Sequence, residues 1–355
     1  MQSGCRACVI AALLPMVLPA MLAILGTPAL ADDEPTIAKD SIRTYVTTAS
    51  CNFGERGCEK NTSFLNPYIE FKVNGPVASG SQLSVEFTVP GRPPRKWDCP
   101  TREKRKGELL ETECGSKGGE GDRGFAFQGP VYTGPVTFNI HMRNEVQGTN
   151  ASVFAGKMKV GKTSSKNPNE ITYYVDEDWR IPIGYIFLVK AENNNGSGGP
   201  GTSMFHALLW FRGTARDVEA HVLYQGKEVG KSNICSAAAT RGNNMWKGYD
   251  CHFDHVYNLS VPQGWPDQGI HLLTKNPGEY EIKVLAGGHL TRSIKFTVDQ
   301  NGKFDNGIAT ANMLGSDKVI VPVQVLGVED GTWNKAAWKT DAFYGNPLSG
   351  FTAVP

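Results

Sequence analysis

Residues 277–298 read PGEYEIKVLAGGHLTRSIKFTV, and this stretch decides the fold class. Tyr280, Ile282 and Val284 alternate with charged residues, and the alternation resumes at positions 294, 296 and 298 after a pair of glycines. A period of two places one set of side chains on a buried face of a strand and the other set in water. Gly287-Gly288 can adopt the positive φ angles of a tight turn. The stretch therefore predicts a β-hairpin with one buried face.

Short alternating stretches of the same kind recur along the whole chain, separated by turn residues. The 355 residues include 40 glycines and 21 prolines, and no segment has a sustained helical period. Short strands at this spacing are typical of β-sandwiches. The sequence therefore predicts an all-β protein.

The first 31 residues predict a secretory signal peptide. Arg6 is their only charge, an apolar run extends from Val9 to Leu25, and Ala29-Leu30-Ala31 matches the small-residue cleavage pattern. An uncleaved membrane anchor is the alternative, but Pro15 and Pro19 interrupt the run. We expect a secreted or periplasmic chain with no membrane span after cleavage.

The charge balance argues against nucleic acid as a partner. The chain has 36 basic and 35 acidic residues, and removal of Arg6 leaves 36 − 1 = 35 of each. Nucleic-acid binding usually requires a basic excess. The expected partner is a protein or a polysaccharide at the cell surface.

The cysteine count predicts disulfides. Of eight cysteines, two precede the apolar run, which leaves 8 − 2 = 6 in the mature chain. An even number in an exported protein indicates disulfide bonds, although six cysteines allow 15 pairings. A zinc site is the weaker alternative, since the mature chain has no C-x-x-C spacing. Sequence proximity favours three pairs: Cys51 with Cys58, Cys99 with Cys114, and Cys235 with Cys251.

An internal repeat divides the mature chain into two halves. Several features of the first half recur in the same order in the second: Tyr68-Ile69 at Tyr185-Ile186, Leu83–Gly91 at Phe205–Gly213, Cys99 and Cys114 at Cys235 and Cys251, Pro135 and Phe138 at Pro277 and Tyr280, Gly161-Lys162 at Gly302-Lys303, and Ile181-Pro182-Ile183 at Val321-Pro322-Val323. Self-similarity of this kind implies duplicated structural units. Val218–Gly230 is interpreted as a strand inserted into the second unit.

These boundaries predict five segments. They are a signal peptide at 1–31, an N-terminal lead segment at 32–65, a β-sandwich repeat at 66–190, a second repeat at 191–330 and a C-terminal tail at 331–355. The segment around Ile181–Tyr185 matches the end of one repeat and the start of the other, so one long strand could bridge them. The tail, with Trp333, Trp338 and Tyr344, is expected to pack on the second sandwich.

Each repeat resembles an immunoglobulin-like or fibronectin-III-like domain in length and pattern. Pro277-Gly278-Glu279-Tyr280 before an alternating strand is similar to the segment that precedes a late strand in many such domains. The Cys…Trp…Cys pattern of antibody domains is absent, because the cysteines here bracket a loop. The resemblance is one of architecture and implies two tandem immunoglobulin-like β-sandwich domains.

One motif invites a nucleotide-binding interpretation. Residues 156–163, GKMKVGKT, match the P-loop pattern letter for letter. That motif functions only where a strand leads into a loop that opens a helix. Because no helix start follows, the segment is interpreted as a strand with a Gly-Lys turn, and no cofactor is expected.

Two groups of residues are candidates for a site. His252, Asp254 and His255 form the densest cluster of possible metal ligands, suited to zinc or copper, with solvated surface histidines as the alternative. Trp246, Tyr249 and Trp265 lie between Cys235 and the hairpin, where aromatic rings could contact a sugar or a protein. Core packing is the alternative for these aromatic residues.

No G-x-S-x-G or H-E-x-x-H motif occurs, and the sequence favours a binding role over an enzymatic one. The leading hypothesis is an exported, non-catalytic binding or surface-structural protein that acts through loops, especially 235–266. The alternatives are a metal-binding protein or metalloenzyme that uses His252, Asp254 and His255, and a carbohydrate-binding accessory protein.

Overall fold

The computed structural model describes residues 35–51, 62–74, 77–102, 110–115, 127–164, 171–190, 203–237, 245–260, 269–304 and 318–355. Nearly all regular structure in these residues is antiparallel β-strand, so the predicted all-β class is confirmed. The helical segments among them are single turns, and none is long and apolar enough to cross a membrane. The predicted signal peptide lies outside the described residues.

The first half contains two sheets. Its strands β1 to β10 are Thr36–Cys51, Thr62–Asn74, Ser81–Thr88, Arg95–Cys99, Thr101–Arg102, Leu110–Gly115, Phe127–Gln128, Gly134–Asn144, Thr149–Ser164 and Ile171–Asp176. One sheet has the order β1-β2-β6-β5, with β7 also paired to β2, and the other has the order β10-β9-β8-β3-β4. Alternate side chains of both sheets, such as Ile69, Val85 and Ile140, form the first hydrophobic core.

The second half forms one closed sheet. Its strands β11 to β20 are Ile183–Lys190, Ser203–Arg212, Val218–Tyr224, Lys227–Ser232, Ser236–Ala237, Trp246–Tyr257, His271–Leu272, Gly278–Ala286, His289–Val298 and Val319–Val325. The order β12-β11-β20-β19-β18-β13-β14-β16 returns to β12, which also pairs with β16. Eight strands therefore enclose a second core that includes Phe205, Val222, Ile282 and Phe296.

The hairpin predicted from residues 277–298 is confirmed as β18 and β19. Tyr280, Ile282 and Val284 are buried, and the glycine pair forms the turn with φ values of 57° and 79°. Both positive φ angles are those of a two-residue hairpin turn whose twist matches the flanking strands. The hairpin forms one wall of the second core.

The same order of strand pairing occurs in both halves. The pairs β1–β2, β2–β6, β3–β4, β3–β8, β8–β9, β9–β10 and β5–β6 each recur with both strand numbers raised by ten. This correspondence changes the alignment that the sequence suggested. Val218–Tyr224 is the counterpart of Ser81–Thr88 and not an insertion, whereas Ser203–Arg212 corresponds to Thr62–Asn74.

Two of the three predicted disulfides are confirmed, and they occupy corresponding positions in the two halves. β4 ends at Cys99, β5 begins two residues later on the other sheet, and Cys99 is bonded to Cys114 of β6. In the second half Cys235 lies between β14 and β15 and is bonded to Cys251 of β16. Cys58 of the third predicted pair, Cys51–Cys58, lies outside the described residues.

Strand β11 contributes to both cores. Ile186 points into the second core, while Tyr185 and Phe187 on the opposite side of the strand belong to the first. A strand whose two faces are both buried reads as a continuous apolar run, as Ile183–Val189 does. The long strand that could bridge the repeats is therefore β11.

The terminal segments both belong to the first half. Residues 36–51, part of the predicted lead segment, pair with β2 as β1. The tail packs on the first core through Phe343, Tyr344 and Phe351, which corrects the expectation that it packs on the second sandwich.

A buried polar cluster fixes this position of the tail. The Tyr344 hydroxyl donates to Glu177 Oε1 at 2.7 Å and accepts a hydrogen bond from Arg180 Nη2 at 2.8 Å. Arg180 also donates to the backbone oxygen of Ile42 on β1, at 3.2 Å. Although burial acts to lower the pKa of Arg180, the charge of Glu177 and the Tyr344 hydroxyl outweigh it and raise that pKa. The tail is thus tied to β1 and to the turn before β11.

A second buried ion pair joins the end of the closed sheet to the following loop. The Arg292 guanidinium on β19 contacts the Asp330 carboxylate, and neither side chain is more than 2% exposed. The guanidinium lies 4.2 Å from the centroid of the Phe211 ring. Asp330 also accepts the backbone N–H of Arg212 at 2.8 Å, so this pair holds loop 326–331 against β12.

Candidate functional site

Two histidines lie opposite each other on the outer side of the closed sheet. His206 on β12 pairs in register with His252 on β16, and their ring centroids are 6.0 Å apart. Phe205, Ala207 and Leu209 point into the second core, so the intervening residues of β12 point outward. His252 is exposed and His206 is partly buried, with 14% of its side chain accessible.

Asp250 orients the ring of His206. Its Oδ1 lies 3.0 Å from His206 Nδ1. A carboxylate can only accept a hydrogen bond, so Nδ1 carries the proton and Nε2 of the neutral ring retains its lone pair. Asp250 precedes His252 by two residues and lies on the same side of β16. Strands β12 and β16 thus bring together the His252 ring, the His206 ring and the Asp250 carboxylate that orients His206.

An aromatic ring and a lysine extend this row across the sheet. Phe187 of β11 pairs with His206, and the two rings are 5.3 Å apart. The Lys318 ammonium lies 5.0 Å from the centroid of the Phe187 ring, within the range of a cation–π contact. We call Phe187, His206, Asp250, His252 and Lys318 the histidine face.

Charged groups flank the Lys318 end of the face. Burial lowers the pKa of Lys318, against the opposing charge of Asp40. Burial likewise raises the pKa of Asp40, against the opposing charge of Lys318. Asp40 belongs to the irregular part of β1 between Ala38 and Arg43, where the register with β2 shifts. The face therefore lies at the margin where the first half covers the closed sheet.

The strands that carry the histidines are held on several sides. β12 pairs with both β11 and β16, and β16 also pairs with β15. Cys251, between Asp250 and His252, is bonded to Cys235. Because backbone pairing and a disulfide both restrain this segment, its outward side chains are displayed on a rigid surface.

The three metal ligands predicted from the sequence take different positions. His252 lies on the regular part of β16, but the register with β12 shifts between His206 and Met204. Asp254 is opposite Lys231 of β14, and His255 has a φ of 69° within the irregular segment. No group of three or more His, Cys, Asp or Glu side chains among the described residues is arranged to hold a metal ion. The three-residue metal site stays a prediction.

The predicted aromatic contact residues are packed inside the protein where they are described. Trp246 is 1% exposed, and its ring centroid lies 5.7 Å from that of Tyr174. Tyr249 is 4% exposed, and its hydroxyl donates to the backbone oxygen of Ala215 at 2.8 Å. Their placement favours the core-packing alternative over contact with a partner. Trp265 lies outside the described residues.

The P-loop-like segment lies wholly within β9. Gly161 and Lys162 pair with Tyr174 and Tyr173 of β10, so the strand continues where a Gly-Lys turn was expected. A Cβ atom on Gly161 would lie 2.6 Å from the Tyr174 ring, and one on Gly156 would lie 2.6 Å from the Phe138 ring. These glycines make room for aromatic rings, and the strand–loop–helix context of a phosphate site is missing here.

Sequence reasoning missed His206, which is the partner of His252. The alternation of β12 marks His206 as an outward residue, but three strands separate it from β16 along the chain. Only the pairing of β12 with β16 brings the two rings together. A local pattern carries no signal for a contact of that kind.

Comparisons with known proteins do not assign a family. No protein-family model matches the chain, and no curated protein matches it. The geometry of the histidine face is therefore the main guide to function.

Proposed function

We propose that the chain is an exported, non-catalytic binding protein that contacts a protein at the cell surface through the histidine face. The observation that carries this proposal is the row of Lys318, His206, Asp250 and His252, with the buried Phe187 ring in contact with both Lys318 and His206. Two imidazoles, a carboxylate and an ammonium in one row offer directional polar contacts to a partner.

The rigidity of the surface supports the same proposal. A partner that docks on paired strands does not have to order a loop, so less of the binding energy is lost to conformational entropy. The disulfide between Cys235 and Cys251 lies directly behind the face. Within segment 235–266, the proposed contact surface is therefore strand β16 and not the loops on either side of it.

The architecture that we propose is a tandem pair of immunoglobulin-like units, with two sheets in the first half and one closed sheet in the second. The recurrence of the pairing order, with the same disulfide position in each half, supports a duplicated unit. The two hydrophobic cores support the same reading. Export is supported by the two disulfides, which persist in oxidising compartments.

A polysaccharide partner is the second candidate. Its original support was a set of aromatic rings on a loop, but Trp246 and Tyr249 are buried. Sugar stacking would therefore depend on Trp265. Binding to polysaccharide in the experiment below, lost on substitution of Trp265 but not of His252, would replace our proposal with this one.

A matched pair of double variants tests the proposal. The bait is the oxidised mature chain, exposed to the envelope and secreted fractions of the source organism. The test variant is Asp250→Ser/His252→Ser. The control is His221→Ser/Glu228→Ser, because His221 and Glu228 form a similar exposed pair, 2.9 Å apart, on β13 and β14.

We expect one protein to be retained by the parent chain and by the control variant, with retention falling at least tenfold for the test variant. Equal retention by both variants would show that the histidine face does not bind the partner.

A further inference from the structure

We propose that His206 and His252 form a binding site for a divalent transition-metal ion. Asp250 does not bind the ion in this site but holds the His206 ring by a hydrogen bond. This site differs from the cluster suggested by the sequence, because only His252 is common to both. It does not depend on the proposed function, since two imidazoles can bind an ion whether or not the face binds a partner.

The spacing of the two rings falls within the range for a shared ion with a wide angle between the two ligating nitrogens. A metal ion lies about 2.0–2.1 Å from each ligating imidazole nitrogen, which separates the centroids of two ligating rings by roughly 4.5 Å for a 90° angle at the metal and roughly 6.4 Å for 180°. The rings of His206 and His252 are 6.0 Å apart and inclined by 40°. Because the residues are paired directly across two strands, their Cα positions are fixed by the sheet and only side-chain torsions need adjust.

The partner of His206 is the one that metal-binding histidines usually have. Such residues donate their second ring N–H to a carboxylate or a carbonyl, which fixes the tautomer and makes the ligating nitrogen more basic. The hydrogen bond between His206 Nδ1 and Asp250 Oδ1, at 3.0 Å, supplies this arrangement. Nε2 of His206 is then the nitrogen that ligates.

The ligand set indicates which ions the site would take. Imidazole suits Cu²⁺, Ni²⁺ and Zn²⁺, and the affinity for divalent ions peaks at Cu²⁺ in that series. Two protein ligands leave the other coordination positions to water, which agrees with the lack of any three-ligand group among the described residues. We infer an open site that prefers Cu²⁺ over Zn²⁺.

The other histidine–carboxylate pair of the second half provides a natural control. His221 and Glu228 are in contact at 2.9 Å, as His206 and Asp250 are, but no histidine is paired across the strands with His221, whose register neighbours are Lys231 and Lys283. A site that needs two imidazoles is therefore expected at His252 and not at His221.

Titration calorimetry with CuCl₂ and ZnCl₂ on the folded, oxidised mature chain tests the inference, together with electron paramagnetic resonance of the Cu²⁺ form. We expect one Cu²⁺ per chain, with couplings to two nitrogens. His252→Ala and His206→Ala should each lower the affinity at least tenfold, Asp250→Asn about 10–100-fold, and His221→Ala or His255→Ala less than twofold.

Three outcomes would overturn the site. They are the absence of stoichiometric Cu²⁺, an affinity unchanged by His252→Ala, and a loss caused by His255→Ala that equals the loss caused by His252→Ala. His252 is exposed, so His252→Ala should not disturb folding, and thermal unfolding of each apo variant checks this. Failure of the partner experiment would leave these results unaffected.

Discussion

His206 and His252 stand directly opposite each other on neighbouring strands, with ring centroids 6.0 Å apart. Asp250 holds one ring and Cys251, between Asp250 and His252, is bonded to Cys235. Of the three consecutive residues 250–252, Cys251 restrains the strand through its disulfide, and Asp250 and His252 point to the surface.

The two disulfides should contribute similarly to stability. Each closes a segment of similar length, with sequence separations of 15 and 16. A closed loop of this size stabilises a protein by about 3 kcal/mol in the chain-entropy model. We expect Cys235→Ser/Cys251→Ser to lower the free energy of unfolding by about 2–5 kcal/mol in urea titrations. An unchanged urea midpoint would show that the bond does not restrain the unfolded chain.

Tyr344→Phe should destabilise the protein by about 1–3 kcal/mol, because it removes the buried hydroxyl that donates to Glu177 and accepts from Arg180. Tyr224→Phe is the matched control. The Tyr224 hydroxyl makes an exposed hydrogen bond to the backbone oxygen of Pro277, and we expect a loss within about 0.5 kcal/mol. Similar losses for both variants in chemical unfolding would argue against the buried cluster as the anchor of the tail.

Asp330→Ala should destabilise the protein by about 3–5 kcal/mol, because it leaves the buried charge of Arg292 uncompensated. The double variant Arg292→Met/Asp330→Ala removes both charges, so its loss should be smaller than that of the single variant. Equilibrium unfolding of the two variants gives the comparison. A double variant that loses as much as Asp330→Ala would mean that the charge itself is not the cause.

Asp40 should make stability fall as the pH rises. Burial raises its pKa above the usual 3.8, so the folded protein retains this proton at pH values where the unfolded chain has lost it. The contribution of this group is complete below 3.8 and is lost as the pH rises through the raised folded value. Asp40→Asn cannot titrate, so its stability relative to the parent should increase across that window.

Asp299 provides a control of opposite sign for the pH experiment. Hydrogen bonds from the backbone N–H groups of Lys303 and Asn301 lower its pKa. Its contribution is therefore present above 3.8 and lost as the pH falls through the lowered folded value. Thermal unfolding from pH 3 to pH 7 should show opposite trends for Asp40→Asn and Asp299→Asn, and parallel trends would contradict both assignments.

Local patterns predicted the parts of the fold that depend on neighbours in sequence. The β18–β19 hairpin followed from alternation around Gly287-Gly288, and two disulfides followed from short cysteine spacing. The repeat was detectable, but the sequence matched Leu83–Gly91 to the wrong strand of the second half. Phe205 and Val218 both begin alternating stretches, and the first of these was chosen. Only the pairing partners β12–β16 and β13–β18 distinguish the two.

Contacts between segments far apart in the chain could not be predicted from local sequence patterns. Trp246 is buried because Tyr174, from the first half, covers it, and the tail packs on the first core because Tyr344 meets Glu177 and Arg180. The sequence grouped His252 with Asp254 and His255, and strand pairing additionally places His206 opposite His252. Each of these contacts joins segments that are far apart in the sequence, so a local pattern does not predict it.

Site-specific photo-crosslinking in the source organism tests the central claim most directly. A photoreactive phenylalanine derivative is placed at position 252 in one variant and at position 221 in another. Both side chains point outward from strands of the closed sheet. We expect a discrete protein adduct from position 252 and none from position 221. An adduct from position 221 with none from position 252 would contradict the histidine face as the working surface.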